Sequence, residues 1–276
     1  MKIDKIFIIN LKSRDDRLKN MSSLVDTLNI NKNKIKVFEA IVGNELKDDE
    51  IKNILSISSL DTLYNKSINH KDIRTKGAIG CYLSHYKIWE KIIKENLENV
   101  LIFEDNLALD IDVKEFEDYV NSIPQDYDTA FLYWFSLWFD PLNNPKKNTI
   151  INNYWNKYNS INVWGSGSYL LSRKGAEKLV KNAFPICYRI DAYINILNNV
   201  DTSFIRYIAK ESLFKQNNFQ TDIKIECKEC DITEKINTMY NKRYNIETFG
   251  MVNNNNNNLI LVILIIIIAI LFVKNK

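Results

Sequence analysis

Val100-Leu101-Ile102-Phe103-Glu104-Asp105-Asn106 joins a short apolar run directly to two carboxylates and a carboxamide. Apolar runs of this length are typical of buried strands, and open α/β sheets bind ligands at the carboxyl ends of their strands. Glu104, Asp105 and Asn106 offer the hard oxygen atoms that divalent cations prefer. A solvated acidic turn after the strand is the alternative interpretation.

Strand-like and helix-like segments alternate on both sides of this stretch. By their apolar periodicity, the predicted segments are strands at 5–11, 35–40 and 129–135 and helices at 15–28, 78–96 and 174–182. The strand at 129–135 is expected to lie beside the strand that ends at Glu104. This alternation favours an α/β fold with a mainly parallel central sheet.

Other blocks along the chain accompany the acidic segment. In chain order, the set reads Asn10-Leu11 with the turn Ser13-Arg14-Asp15-Asp16-Arg17, then Gly77-Ala78-Ile79-Gly80-Cys81-Tyr82-Leu83-Ser84-His85, Phe103-Glu104-Asp105-Asn106, Tyr169-Leu170-Leu171-Ser172-Arg173-Lys174-Gly175-Ala176, and Pro185 to Asp191. Over roughly residues 3–222 the set resembles glycosyltransferase family 25. That family includes bacterial lipooligosaccharide galactosyltransferases and the domains that galactosylate collagen hydroxylysine.

The resemblance implies a GT-A-like nucleotide-sugar-binding fold and a specific reaction class. A hexose, galactose or glucose, would move from a nucleotide diphosphate donor of the uridine diphosphate hexose type to a hydroxyl of a glycan, lipid or protein. The transfer is expected to be inverting and assisted by a divalent cation, Mn²⁺, with Glu104, Asp105 and Asn106 as its ligands. Such a cation stabilises the departing diphosphate, so Glu104 and Asp105 count among the expected catalytic residues.

Asn106 departs from the family pattern, which has Glu-Asp-Asp at this place. An amide still offers a carbonyl oxygen to a hard cation, but it loses a formal charge and part of the attraction for the ion. Two interpretations therefore stay open. The chain is either a transferase, with reduced activity, or a non-catalytic, membrane-tethered scaffold that keeps the fold.

Polar residues after the first strand and on the helix at 78–96 are expected to bind the donor. Asn10, Arg14 and Arg17 follow the strand, and guanidinium groups suit phosphate oxygens; a solvated helix start is the alternative. For Ser84 and His85, contact with the donor and a buried structural role are both open. Glycines in the same block, Gly77 and Gly80, are expected to permit close backbone packing.

Asp191 is the candidate general base. An inverting transfer requires a carboxylate that takes the proton from the acceptor hydroxyl. The alternative is a helix N-cap, because Asp is favoured there and Asp191 precedes Ala192-Tyr193-Ile194. The small-residue turn Trp164-Gly165-Ser166-Gly167-Ser168 is expected to floor the sugar pocket. Trp134 and Trp138 are candidates for stacking on an acceptor sugar, with core packing as the alternative.

Charge and cysteine content exclude some classes of protein. The formal net charge of +3 is small, and lysines are scattered among acidic residues, so no nucleic-acid partner is indicated. The four cysteines are too few for a dense disulfide framework. Cys227-x-x-Cys230 lacks a second nearby ligand pair for zinc, so a plain pair of thiols is favoured over a metal or redox role.

The carboxyl-terminal part is predicted to be distinct from a catalytic domain at 1–250. An Asn-rich linker at 251–258 leads to an unbroken apolar run at 259–273. As a helix this run is about 22 Å long, shorter than a standard span of about 20 residues. It indicates a single-pass tail anchor in a thin membrane such as that of the endoplasmic reticulum, with a fully buried helix as the alternative. Because no amino-terminal signal segment is seen, the domain is expected to be cytosolic.

Overall fold

The computed structural model describes residues 3–65, 71–135, 148–158 and 163–223. The expected linker and tail anchor lie outside these ranges, as do Trp138 and the Cys227–Cys230 pair. Among the helices of the described ranges, none has the length and apolar character that a membrane crossing requires.

Ten strands and seven α-helices make up the described part of the chain. The strands are β1 Lys5–Asn10, β2 Ile35–Glu39, β3 Asn99–Glu104, β4 Leu107–Leu109, β5 Thr129–Phe131, β6 Asn148–Ile150, β7 Trp155–Tyr158, β8 Ser168–Ser172, β9 Arg206–Ala209 and β10 Phe214–Gln216. The helices are α1 Asp15–Thr27, α2 Asp48–Ile54, α3 Ile57–Asn65, α4 Lys76–Lys94, α5 Val113–Asn121, α6 Arg173–Lys181 and α7 Ile190–Val200. Every predicted segment is present, although the strand expected over 129–135 ends at Phe131.

Eight of the strands form one sheet in the order β2-β1-β3-β8-β5-β9-β7-β6. β1 pairs in parallel with β2 and β3, and β5 with β9, whereas the other pairings are antiparallel. The prediction of a mainly parallel sheet is therefore correct for the β2-β1-β3 strands and the β5–β9 pair and wrong for the other four pairings, and the architecture is mixed α/β.

The strand β8 causes this difference. It lies between β3 and β5 and runs against both, so the predicted β3–β5 neighbourhood is wrong. A parallel connection needs a crossover, usually a helix, whereas antiparallel strands are joined by loops. The described residues between β5 and β8 contain two strands and no helix. In agreement with this, β8 runs antiparallel to both of its neighbours.

Helices cover both faces of the central strands. Successive side chains of β3 alternate between the two faces: Ile102 packs in the cluster that includes α4, α6 and α7, while Leu101 and Phe103 pack in the cluster that includes α1 and α5. Burial on both faces requires a nearly continuous apolar strand. It also places Glu104, two residues after Ile102, on the α4 side of the sheet.

Helix α4 packs closely on the loop at 41–43 because Gly80 has no side chain. A Cβ added at Gly80 would lie 2.4 Å from the Ile41 carbonyl oxygen and 2.7 Å from the Gly43 nitrogen. The expected close packing at Gly80 is thus confirmed.

We expect Gly80→Ala to lower the free energy of unfolding by about 1–3 kcal/mol, as overpacking does. Elsewhere in a helix interior the same change raises the free energy of unfolding by about 0.5–1 kcal/mol. The sign of the measured change therefore distinguishes close backbone packing at Gly80 from an ordinary helix position. Urea unfolding followed by circular dichroism measures the effect. Lys94→Ala, at the exposed end of α4, is the control, with an expected change within about 0.5 kcal/mol. Equal or greater stability of Gly80→Ala would contradict the packing described here.

Candidate active site

Glu104, the last residue of β3, is held by side chains from two other elements. Its Oε1 accepts the Ser166 hydroxyl at 2.7 Å and lies 3.3 Å from His85 Nε2. Burial disfavours the charged carboxylate, but His85 and Ser166 outweigh it and lower the pKa of Glu104 below its ordinary value. Glu104 is therefore a fixed, ionised carboxylate at the carboxyl end of the strand.

His85 lies on α4 and is fully buried. Its Nδ1 lies 2.8 Å from the Tyr169 hydroxyl, which also accepts the Trp89 indole N–H at 3.0 Å. Because Trp89 donates to the Tyr169 oxygen, the Tyr169 O–H is able to donate to His85 Nδ1. His85 can then carry its ring proton on Nε2 and donate it to Glu104. The imidazole therefore positions Glu104.

Asp105 is buried just beyond β3 and is held by two residues from the amino-terminal block. Its Oδ1 accepts from Arg17 at 2.9 Å and its Oδ2 from the Asn10 amide at 2.8 Å. Burial raises the pKa of Asp105 above its ordinary value, although both partners favour the charged form. These distant residues meet because β1 and β3 are parallel neighbours whose carboxyl ends coincide.

The last described part of the chain covers Arg14 and Arg17. Both guanidinium groups form ion pairs with Asp222, at 2.8 Å for Arg17. The Gln220 carbonyl oxygen accepts from Arg14 at 2.9 Å and from Arg17 at 2.6 Å. The Phe219 ring centroid lies 5.9 Å and 5.7 Å from the two guanidinium carbons. The two predicted donor-binding arginines are thus engaged by protein groups.

An open pocket with a cavity volume of about 150 Å³ lies beside β3. Among its lining residues are Cys81, Glu104, Tyr133, Gly165, Ser166, Gly167, Arg189 and Asp191. Two carboxylates predicted to be catalytic, Glu104 and Asp191, therefore face one cavity although they come from different elements.

Asp191 lies in the first turn of α7. Its Oδ1 accepts the Ala192 N–H at 2.8 Å, and its Oδ2 lies 3.7 Å from an Arg189 terminal nitrogen. The N-cap of α7 is Arg189. The alternative of Asp191 as an N-cap is therefore wrong. A carboxylate in the first turn still interacts favourably with the helix dipole and so stabilises α7.

The predicted small-residue turn forms part of the pocket wall. Gly165 has a φ of 109°, in the left-handed region that favours glycine. A Cβ at Gly165 or Gly167 would lie 2.9 or 2.8 Å from the Tyr133 ring. Trp134, by contrast, donates its indole N–H to the Ala209 carbonyl at 2.9 Å and packs against the core, in agreement with the packing alternative.

Ser84 and Asn106 occupy different surroundings from the pocket carboxylates. Ser84 is fully buried, donates to the Gly80 carbonyl at 2.7 Å and accepts the Ile41 N–H at 2.9 Å, so its hydroxyl joins α4 to a loop. The Asn106 Oδ1 is a buried oxygen with no hydrogen-bond partner in the described part of the protein. An unpaired buried acceptor is costly unless something else satisfies it.

Three further residues shape the site and were not predicted from the sequence. Tyr169 follows the glycine turn, and its position on β8 turns it toward α4. Arg189 precedes Asp191 by two residues, a proximity that was available from the sequence. No sequence pattern around Asp222 indicates its role, because Arg14, its ion-pair partner, lies 208 positions earlier in the chain.

The sequence profile of glycosyltransferase family 25 (LPS biosynthesis protein) matches residues 3–194, which contain all of the predicted site residues. The chain belongs to glycosyltransferase family 25. A family relative, procollagen galactosyltransferase 1-A of Xenopus laevis, is 31% identical over 196 residues, 67% of this chain and 29% of that protein. Procollagen galactosyltransferase 2 of Homo sapiens is 29% identical over 204 residues, 72% of this chain and 31% of that protein. The chain thus spans less than a third of the length of these family relatives.

The family also contains a relative whose name describes it as inactive. Inactive glycosyltransferase 25 family member 3 of Homo sapiens is 28% identical over 180 residues, 64% of this chain and 28% of that protein. Among solved structures, mouse xyloside xylosyltransferase 1 matches with a TM-score of 0.37 and 10% identity, over 72% of this chain and 83% of that chain.

Proposed function

We propose that this chain transfers a hexose, galactose or glucose, from a nucleotide diphosphate donor of the uridine diphosphate hexose type to a hydroxyl of a glycan, lipid or protein. Family membership supports the reaction class. The observation that carries the proposal is the pocket that Glu104 and Asp191 line together, next to the β1 and β3 strand ends. A GT-A-like arrangement of donor and sheet is part of the proposal.

In the proposed reaction, Asp191 is the general base. Its carboxylate lines the cavity from the first turn of α7, 3.7 Å from an Arg189 terminal nitrogen. It would take the proton from the acceptor hydroxyl as that oxygen attacks the anomeric carbon, giving inversion. Arg14 and Arg17 would bind the donor diphosphate after exchanging Asp222 for phosphate oxygens, which suit the guanidinium fork.

The proposed cofactor is a divalent cation, Mn²⁺, held by Glu104, Asp105 and Asn106. The residues fit such an ion, because all three offer oxygen and the buried Asn106 Oδ1 lacks a hydrogen-bond partner in the described ranges. Arg17, at 2.9 Å from Asp105, already neutralises part of the negative charge. When bound, the cation would stabilise charge on the leaving diphosphate.

We expect Asn106→Asp to tighten Mn²⁺-dependent binding of uridine diphosphate by about tenfold or more, because a third carboxylate adds charge close to the ion. Calorimetric titration of the full chain with uridine diphosphate, with and without Mn²⁺, measures this. Asn33→Asp, on an exposed turn, is the matched control and should leave affinity unchanged. Absence of binding by both the wild type and Asn106→Asp would favour the non-catalytic scaffold.

The apolar run at 259–273 supports one more part of the proposal, a membrane anchor with the catalytic domain on the cytosolic side. This part depends on sequence alone. Glycosylation acceptor tags placed in the domain and after Lys276 test it in cells. Modification of the domain tag with no modification of the terminal tag would reverse the proposed topology.

A further inference from the structure

Cys81, His85 and Glu104 bring three metal-binding atoms to one place beside the pocket. A sulfur, an imidazole nitrogen and a carboxylate oxygen all lie within 4.8 Å of one another. Cys81 and His85 are one turn apart on α4 and so share the helix face toward β3, which ends at Glu104. We propose that these residues form a binding site for Zn²⁺, which shares Glu104 with the all-oxygen site proposed for the donor and differs from it by a thiolate and an imidazole ligand.

The ligand set selects for a thiophilic ion. Thiolate and imidazole favour Zn²⁺, whereas Mg²⁺ and Mn²⁺ prefer sites built from oxygen. Tetrahedral zinc with bonds of about 2.0–2.3 Å places its ligands about 3.3–3.8 Å apart. His85 Nε2 and Glu104 Oε1 are already 3.3 Å apart. Cys81 therefore needs only a side-chain shift of about 1 Å to complete the set.

The surroundings supply the outer contacts and the access that a zinc site needs. Tyr169, at 2.8 Å from His85 Nδ1, fixes the imidazole so that Nε2 faces the site. With Zn²⁺ on Nε2, the ring proton would lie on Nδ1 and be donated to the Tyr169 oxygen. Ser166, at 2.7 Å, fixes Glu104. Such second contacts orient ligands and support affinity. Because Cys81 and Glu104 line the open pocket, an ion has an entry path and a water has room to be the fourth ligand.

The local charge also favours a cation. Burial raises the pKa of the Cys81 thiol, and the negative charges of Glu104, Asp191 and Asp105 raise it further. The positive charge of Arg189 lowers this pKa but does not outweigh them. The same carboxylates attract a divalent ion. Binding converts the thiol to a zinc thiolate, so a sulfur–zinc bond forms, the S–H bond breaks and the proton leaves to solvent through the pocket.

The test uses the full chain in detergent with Cys187, Cys227 and Cys230 replaced by serine, so that Cys81 is the remaining cysteine. Co²⁺ serves as the spectroscopic probe. One equivalent should produce thiolate-to-cobalt charge-transfer absorption that Zn²⁺ then removes. Adding Cys81→Ser should abolish this absorption and weaken Zn²⁺ binding by at least about tenfold.

Two results would overturn the site: no charge-transfer absorption in the protein that retains Cys81, or equal Zn²⁺ affinity after Cys81→Ser. Circular dichroism establishes that each variant is folded, and Cys81→Ala provides a second replacement with no ligand atom. Uridine diphosphate binding in the presence of Mn²⁺ and without Zn²⁺ is measured on the same samples. A protein that binds the nucleotide but not Co²⁺ refutes the zinc site alone, and the reverse refutes only the proposed function.

Discussion

Replacing Arg17 with methionine should lower the free energy of unfolding by about 3–5 kcal/mol, the usual cost of breaking a buried ion pair from one side. The side chains of Arg17 and Asp105 are only 10% and 8% exposed, and they meet at 2.9 Å. Without Arg17, Asp105 keeps the Asn10 amide but remains a buried carboxylate without its charge partner. Chemical denaturation of wild type and variant, followed by circular dichroism, measures the loss.

The double variant Arg17→Met with Asp105→Asn separates the ion pair from general packing. It removes both charges, so most of the lost stability should return, because a neutral replacement of a buried pair is often well tolerated. Lys19→Met is the matched control on an exposed position of α1 and should change stability by less than about 0.5 kcal/mol. A double variant as unstable as Arg17→Met would show that the guanidinium stabilises through packing and not through Asp105.

Asp191→Asn should reduce kcat of hexose transfer by about 10²–10⁴-fold, the usual contribution of a positioned general base. The amide keeps the shape and is able to accept the Ala192 N–H, but it cannot take a proton from the acceptor. Stability and uridine diphosphate affinity should stay at wild-type values, since Asp191 lies on α7 and not at the β1–β3 strand ends. A transfer assay with uridine diphosphate galactose and uridine diphosphate glucose measures kcat.

Glu117→Gln, on an exposed face of α5, makes the same carboxylate-to-amide change away from the pocket and should leave kcat unchanged. The pH profile adds a second measurement, because loss of a general base should remove the fall in kcat at low pH. If Asp191→Asn retained both its rate and its pH profile, Asp191 would not be the base, and its role would be confined to the first turn of α7.

The amino-terminal half of the fold was predictable because its signals are local. Continuous apolar runs identify β1 and β3 as buried strands, and the helical spacing of apolar residues identifies α1 and α4. Parallel pairing of β1 and β3 then brings Asn10, Arg17 and Asp105 to one edge. The neighbourhood of these residues follows from the pattern, although the buried ion pair between two of them does not.

The remaining features depend on how distant segments meet. The place of β8 between β3 and β5 is a matter of long-range pairing, and its sequence looks the same in a parallel or an antiparallel register. The contact of Asp222 with the arginines likewise needs the path of the chain after β10. The sequence leaves two roles open for His85, because its partners Glu104 and Tyr169 come from separate strands.

The uneven burial of the arginine partners has a consequence for how this sequence can diverge. Arg14 and Arg17 share Asp222, whose side chain is 34% exposed, whereas Asp105 is enclosed. After substitution of Asp222, water can take the place of its carboxylate at the two guanidinium groups. Position 222 is therefore expected to vary among related sequences at little cost to folding. Positions 17 and 105 have no such substitute. Related sequences should therefore change both of these charges together or neither, and the pair should be visible as covariation.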